Sequence, residues 1–198
     1  MSNKKFEKQN DKNEKQNDTM TNAKIIEQTT NWIKSVVIDC NFCPFAAKAV
    51  LKKTIRYIIK SDVDMNDSIL ALKEELEHLD TDTEIETSFI IFPNNFGDFD
   101  EYLDLVKKAE RLLTKENFDG VYQIASFHPD YCFAGEDEDD AANFTNRSIY
   151  PMLHILREES LSKALSLYPN PELIPQHNID FARQKGLQYM QMLRTACL

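Results

Sequence analysis

The sequence lacks any long hydrophobic run. No apolar stretch among its 198 residues approaches the roughly 20 residues that a membrane-spanning helix needs. The first five residues lead into a polar segment and do not form the apolar core of a signal peptide. We therefore expect a cytoplasmic protein with no membrane partner, whose four cysteines are thiols rather than disulfides.

The sequence also lacks an excess of positive charge. Its formal net charge is -10, and no basic stripe stands apart from the acidic residues. Such a chain repels the phosphate backbone, so we expect no nucleic-acid partner. A small ligand held by one or two arginines remains compatible with this charge, because a local pocket can oppose the global field.

The N-terminal segment, residues 1–22, is polar and repetitive. Residues 7–13 are followed by a near-identical copy, and only two large apolar residues precede Ile25. A segment of this composition cannot bury enough surface to offset its ordering entropy, which predicts a disordered tail. It is interpreted either as an interaction tail or as a solvated leader. Residues 23–198, with a chain-wide hydrophobic content of 42%, are predicted to form a single globular domain.

The hydrophobic pattern predicts an α/β or α+β fold. Apolar runs at residues 54–60, 86–92 and 120–127 are typical of strands, and a helical pattern separates each pair. This order predicts a small sheet of about three strands packed by helices, with helical N- and C-terminal segments. We expect a further helix to run from Ser148 through Arg157, with Pro151 in its first turn.

Residues 126–159 concentrate the side chains that carry chemistry. His128 directly follows the third predicted strand, and Tyr131 lies in the same loop. Ligands in α/β sheets often bind beyond the carboxyl ends of strands, so this loop is a candidate site. The alternative is that His128 hydrogen-bonds the loop and holds it closed.

Two arginines follow the loop. If residues 148–157 are helical, His154 and Arg157 share one helix face, and Arg147 with Asn146 lies at the helix start. Helix N-termini and arginines both favour carboxylates and phosphates, which predicts an anion clamp. The alternative is that the arginines form solvated salt bridges with the acidic run at residues 136–140 or with Glu158.

Cys43 is the other candidate for chemistry. The C-x-x-C pair with Cys40 suggests a redox pair, or a zinc site formed by Cys40, Cys43, His128 and Cys132. A third interpretation is a single reactive thiol at the start of a short helix, where the helix terminus lowers the pKa of Cys43. The alternative is a buried, inert cysteine.

Three motifs carry a resemblance to a known family. They are the segments at residues 42–46, 126–135 and 145–158, which read FCPFA, SFHPDYCFAG and TNRSIYPMLHILRE. Together they resemble the mostly bacterial family catalogued as domain of unknown function fourteen-fifteen, over roughly residues 23–193. The family has no established activity, so the resemblance implies no mechanism. Its pattern has no cysteine at the positions of Cys40 and Cys132, which favours a single working thiol at Cys43.

These observations predict one polar pocket. Our leading hypothesis is a small-molecule enzyme that acts on an anionic metabolite. Cys43 would be the nucleophile, His128 or His154 would move protons, and the ligand would be held by Arg147, Arg157, Asn146 and Tyr131. The alternatives are a non-catalytic ligand-binding or regulatory module, and a zinc-binding protein. Neither a cofactor nor an oligomeric state is written in the sequence.

Overall fold

The computed structural model describes residues 22–198. The predicted N-terminal tail, apart from its last residue, lies outside the described part. The architecture is a small open sheet with helices on both faces, which confirms the predicted α/β class. No helix in residues 22–198 is long and apolar enough to cross a membrane.

Four strands of the described part of the chain form the sheet, in the order β1-β2-β4-β3. Their bounds are Ile55–Ile59 for β1, Thr87–Ile91 for β2, Tyr122–Phe127 for β3 and Met152–Arg157 for β4. β1 and β2 are parallel, and β4 is antiparallel to both β2 and β3. β1, β2 and β3 therefore run in the same direction, and their carboxyl ends meet at one edge beside the start of β4.

Within the described residues 22–198, seven helices surround the sheet. They are α1 at 22–32, continued by a π-helical segment at Ile33–Ile38, then α2 (Ala46–Lys52), α3 (Met65–Thr81), α4 (Phe99–Lys115), α5 (Glu158–Ser166), α6 (Ile174–Lys185) and α7 (Leu187–Thr195). Short 3-10 segments lie at Ala141–Thr145 and Pro171–Leu173. The three strands predicted from sequence, and the helices between them, are confirmed.

The segment Met152–Arg157 corrects one prediction, because it forms β4 rather than a helix. A short apolar run does not separate a buried helix from a buried strand by periodicity. β4 lies in the middle of the sheet, so both of its faces are covered and the alternation of a half-exposed strand is absent. Since side chains alternate along a strand, His154 and Arg157 project to opposite faces of the sheet.

Helices α3 and α4 cover one face of the sheet. The Asp64 and Asp98 side chains accept N–H groups in the first turns of these helices. Leucines of α3 and α4 pack there on Ile90, Leu153 and Ile155. The Tyr102 hydroxyl of α4 donates to the carbonyl of Met152 at 2.8 Å and accepts the N–H of Phe127 at 2.9 Å. This one group therefore joins α4 to both β3 and β4.

Helix α1 and the C-terminal helices cover the opposite face. Trp32, Ile33 and Val36 of the first helix are buried in one cluster with Phe89 and Met152 of the sheet. That cluster also takes in Ala182 of α6 and Met190 of α7. The Trp32 ring meets Phe127 edge-on, with centroids 5.1 Å apart, so α1 crosses the sheet close to its carboxyl edge.

Thr29 tests the packing of α1. Its side chain is fully buried, and its Oγ1 has no hydrogen-bond partner within residues 22–198. A buried polar group without a partner costs about 1–3 kcal/mol, so Thr29→Val should raise the free energy of unfolding by about 1 kcal/mol. Urea denaturation followed by circular dichroism measures this change.

Thr30→Val is the matched control, because the Thr30 hydroxyl lies 3.4 Å from the hydroxyl of Tyr57. This control should lower the free energy of unfolding slightly, or leave it unchanged. A clear loss of stability in Thr29→Val would contradict the prediction and would place a partner at Oγ1.

Candidate functional site

His128 lies at the carboxyl edge of the sheet, directly after β3, and is fully buried. Its Nε2–H donates to the carbonyl of Phe96 at 2.8 Å, and its Nδ1 accepts the N–H of Asp130 at 3.0 Å. Burial lowers the pKa of this imidazole, which favours the neutral form. Both ring nitrogens are occupied by backbone groups, and this geometry fits the interpretation in which His128 holds its loop closed.

The loop that follows His128 is organised by Asn143. Asn143 is fully buried, its Oδ1 accepts the N–H of Phe133 at 2.9 Å, and its Nδ2 donates to the carbonyl of Asp137 at 2.9 Å. Sequence reasoning missed this residue, because a single asparagine in a polar stretch carries no distinguishing signal. We call residues 128–147 the arginine loop, because they end at Arg147.

The acidic run within the arginine loop pairs with α6. The Arg183 guanidinium lies 2.6 Å from a carboxylate oxygen of Asp140 and 2.9 Å from one of Glu136. The Arg183 guanidinium and the N–H of Ala142 hold the pKa of the Asp140 carboxyl well below its usual range, at about 2. Within residues 22–198, Glu136 and Asp140 of the run are therefore partnered by Arg183, and no carboxylate of the run pairs with Arg147 or Arg157.

Arg147 lies against the inside of its own loop. Its Nε donates to the carbonyl of Tyr131 at 2.9 Å, and its Nη2 donates to the carbonyl of Glu138 at 2.8 Å. Its guanidinium lies 5.0 Å from the centre of the Phe144 ring. The carbonyl of Arg147 accepts the indole N–H of Trp32 at 3.1 Å, which ties the loop to α1.

A second arginine joins Arg147 from the last helix. Arg194 of α7 donates through Nη1 to the carbonyl of Pro129, and its guanidinium lies 5.7 Å from the same Phe144 ring. Burial is the main cause that lowers the pKa of Arg194, and the nearby positive charge of Arg147 lowers it further. We call Arg147 and Arg194 the arginine pair. No motif in the sequence connected these two residues, since 46 positions separate them.

Tyr131 and Asn146 belong to the same loop. The half-buried Tyr131 packs edge-on against Phe99 and Phe133, and its carbonyl accepts Arg147. Asn146 donates through Nδ2 to the carbonyl of Ser126 at 3.2 Å, and its own carbonyl accepts the N–H of His128. The structure therefore brings Tyr131, Asn146 and Arg147 together with His128 in one loop.

Arg157 does not lie in the arginine loop. It is at the carboxyl end of β4, and it projects to the face of the sheet that α3 and α4 cover. Its Nη2 donates to the carbonyls of Leu79 at 2.6 Å and Asp82 at 2.9 Å, and its Nε donates to that of Ile85 at 3.0 Å. Its guanidinium also lies 5.6 Å from the centre of the Tyr122 ring. Arg157 therefore holds the carboxyl end of α3 against the sheet and does not share a clamp with Arg147.

His154 lies on the face covered by α1. Its ring stacks on Phe89 with centroids 3.9 Å apart, and its Nε2 lies 2.7 Å from the hydroxyl of Thr87. That hydroxyl donates to the carbonyl of Ile155, so Nε2 carries the proton and donates to Thr87. Burial lowers the pKa of His154 to about 3, which keeps the imidazole neutral near pH 7.

Cys43 is half-buried and lies just before α2. Burial raises the pKa of its thiol, although the N–H groups of Phe45 and Ala46 favour the thiolate. The predicted lowering of this pKa is therefore wrong, because the seven-residue α2 does not offset the loss of solvent. Among residues 22–198, no backbone hydrogen bond joins Cys43 to the arginine loop, and the N–H groups that favour its thiolate belong to its own helix start.

The proposed zinc set is not assembled. Within residues 22–198, no group of three or more His, Cys, Asp or Glu side chains is arranged to hold a metal ion. The ring nitrogens of His128 are occupied, and the Cys132 thiol donates to the carbonyl of Glu136. All four cysteines are free in the structure, so Cys40 and Cys43 are not joined as a disulfide.

An open cleft of about 350 Å³ lies on the outer surface between α3 and α4. It is lined by Asn66, Ile69, Lys108, Arg111, Leu112 and Lys115. None of the predicted site residues lines this cleft. The arginine loop is the better candidate site, because its charged groups are partly buried and held by hydrogen bonds rather than free in solvent.

The comparisons with known proteins concern most of the described residues. A family model described as a protein of unknown function (DUF1415) matches residues 24–192. The chain belongs to this family. The match runs from α1 to α7 and contains all the predicted site residues, and it confirms the predicted resemblance to this family. Searches of the curated proteins and of the solved structures return no match.

The pH dependence of stability tests the neutral state of His154. Its folded pKa is depressed below the unfolded value of about 6.5, so only the unfolded state takes up a proton as the pH falls below 6.5. The contribution of His154 to stability is therefore complete above pH 6.5 and is lost progressively as the pH falls towards about 3. Between pH 7 and pH 5, the loss from this one group is about 2 kcal/mol.

Urea denaturation at several pH values gives the free energy of unfolding as a function of pH. This free energy should depend less steeply on pH in His154→Gln than in the wild type. His177→Gln is the control, because His177 is an exposed histidine on α6. An equal pH dependence of the free energy of unfolding in the wild type and in His154→Gln would show that His154 takes up a proton equally in the unfolded and folded states.

Arg157→Lys tests the role of Arg157 at the end of α3. Lysine keeps the charge but loses the planar fork that reaches three carbonyls, so we expect a loss of about 2–3 kcal/mol in unfolding free energy. The matched control is Arg183→Lys, whose ion pairs are exposed to solvent and should therefore contribute far less to stability. Comparable losses in the two variants would contradict a structural role for Arg157.

Proposed function

We propose that the protein binds a small anionic molecule, a carboxylate or a phosphate ester, at the arginine pair. The site lies at the arginine loop, beyond the carboxyl end of β3. Ligands of α/β proteins bind in this position, because loops there present side chains and backbone groups from a rigid sheet.

The observation that carries the proposal is the absence of carboxylate partners. In a chain of net charge -10, no described carboxylate lies within 4.0 Å of either guanidinium of the arginine pair. Two carboxylates of the neighbouring acidic run, Glu136 and Asp140, bind Arg183 instead, so the positive charge of the arginine pair is not neutralised by a direct ion pair within residues 22–198.

The arginine pair also has guanidinium N–H donors that are available to a ligand. The Nε and Nη2 groups of Arg194 and the Nη1 group of Arg147 make no hydrogen bond to the described part of the chain. A carboxylate or phosphate can accept from such a fork in two places at once, which gives both energy and orientation.

The electrostatics favour an anion. Two half-buried arginines lie near one aromatic ring, and burial together with the charge of Arg147 lowers the pKa of Arg194. The Asp130 carboxylate raises this pKa, but it is the smallest of the three causes. A bound anion would relieve the remaining repulsion.

The candidate catalytic groups support binding more than catalysis. The pKa values of His128 and His154 are lowered by burial and that of Cys43 is raised by burial. The raised pKa of Cys43 disfavours the thiolate that nucleophilic attack requires, and both ring nitrogens of His128 are engaged by backbone groups, so neither is free to move a proton. We therefore favour a ligand-binding or regulatory module over the enzyme hypothesis.

Differential scanning calorimetry with inorganic phosphate, and separately with acetate, tests the proposal. An anion at 100 times its dissociation constant stabilises the folded state by about 2.7 kcal/mol, or roughly 5–10 °C for a chain of this size. Arg194→Gln should remove most of this shift, because it deletes the guanidinium with the most free donors.

Arg111→Gln is the matched control, since it removes the same charge from the exposed surface of α4. This control should keep the full shift. Arg194→Lys should keep only part of it, because it retains the charge without the fork. Equal shifts in Arg194→Gln and Arg111→Gln would place the anion elsewhere and reject the proposal.

A further inference from the structure

The segment between Asp39 and Asp62 has a charge opposite to that of the rest of the chain. It contains no aspartate or glutamate and five basic residues, which are Lys48, Lys52, Lys53, Arg56 and Lys60. The rest of the protein is therefore more acidic than the net charge of -10 indicates. In the fold, this segment forms α2 and β1, and we call it the basic edge.

β1 is an outer strand of the sheet, with β2 as its one neighbour. The N–H of Lys60 donates to the carbonyl of Ile91, and the carbonyl of Thr54 accepts the N–H of Thr87. In a parallel ladder every second residue bonds to the neighbour, so the even-numbered residues of β1 face β2. The N–H and C=O groups of Ile55, Tyr57 and Ile59 therefore point away from the sheet.

No described segment covers these outward groups. Ile55, Tyr57 and Ile59 make no backbone hydrogen bond to another element among residues 22–198. Their side chains are half-buried and pack against the α1 face of the sheet, so the strand itself is held firmly. An open edge of this kind is a template for one more strand.

The charges around the basic edge determine which kind of strand can bind to β1. Lys52 and Lys53 are exposed just before β1, Lys48 is exposed one turn earlier on α2, and Lys60 follows the strand directly. Lysines at an edge repel a second copy of the same edge, which disfavours pairing between two copies of this protein. They attract an acidic strand by the same interaction.

An apolar side chain extends the surface. Leu51, at the end of α2, is 83% exposed and lies between Val50 and Lys52 in the sequence.

Arg56 is the exception among the five bases, because it bonds to the buried Glu75 of α3 at 3.1 Å. The charge available to a partner therefore comes from the four lysines.

We propose that the basic edge binds an extended acidic peptide segment of a partner protein, which adds to β1 as a fifth strand. Backbone hydrogen bonds to the outward groups of β1 would provide the register, and acidic side chains at alternate positions would meet the lysines. This site is separate from the arginine pair, and neither proposal depends on the other.

Isothermal titration calorimetry with the full chain tests the proposal. The probe is an eight-residue peptide that alternates glutamate and valine, and a lysine–valine peptide of the same length is its control. We expect the acidic peptide to bind and the basic peptide not to bind. A version of the acidic peptide with N-methyl groups at alternate residues keeps the charge but loses half of the backbone donors, and should bind at least tenfold more weakly.

Variants of the protein locate the site. Lys48→Glu with Lys52→Glu reverses two exposed charges of the basic edge and should weaken binding by about tenfold or more. Lys108→Glu with Lys115→Glu makes the same change at the α3–α4 cleft and should leave binding unchanged. The Arg194→Gln variant should also bind the peptide normally, which separates this result from the anion test.

Three outcomes would overturn the proposal. Equal affinity for the methylated and unmethylated peptides would show attraction by charge alone, without an added strand. Tighter binding of a single-stranded oligonucleotide at the same lysines would assign the surface to nucleic acid. No heat of binding with the acidic peptide at low salt would leave the edge without the proposed occupant.

Discussion

The hydroxyl of Tyr102 is the contact on which the functional edge of this protein depends. It donates to the first residue of β4 and accepts from the last residue of β3, while its ring belongs to α4. Burial raises the pKa of this phenol far above its usual range, so it acts only as a neutral donor and acceptor. Because both ends of the segment 128–151 are fixed by this one group, the loop between them has a defined shape.

That shape explains how an acidic protein keeps half-buried arginines without carboxylates. Arg147, Arg157 and Arg194 all donate to backbone carbonyls that loops and a helix end would otherwise leave unsatisfied. Arg157 uses all of its guanidinium nitrogens as donors to the protein, whereas the arginine pair uses only some of its nitrogens. The difference between the two separates a structural arginine from a candidate ligand-binding one.

Much of this fold was predictable from the sequence, and the candidate site was predictable in location more than in composition. The strands β1, β2 and β3 follow from short apolar runs, and the helices between them follow from clear helical periodicity. β4 was missed because a strand buried on both faces has no alternation, and this error placed His154 and Arg157 together when the sheet separates them. Arg194 was missed because its meeting with Arg147 is a product of tertiary packing, which no local pattern records.

The single tryptophan has a consequence for how this protein can be observed. Trp32 is buried at the contact between α1 and the sheet, and its indole N–H bonds to the carbonyl of Arg147. Its fluorescence therefore arises from one environment, and that environment ends at the arginine loop. The molecule carries its own optical reporter, positioned where any rearrangement of that loop would change the polarity around the indole.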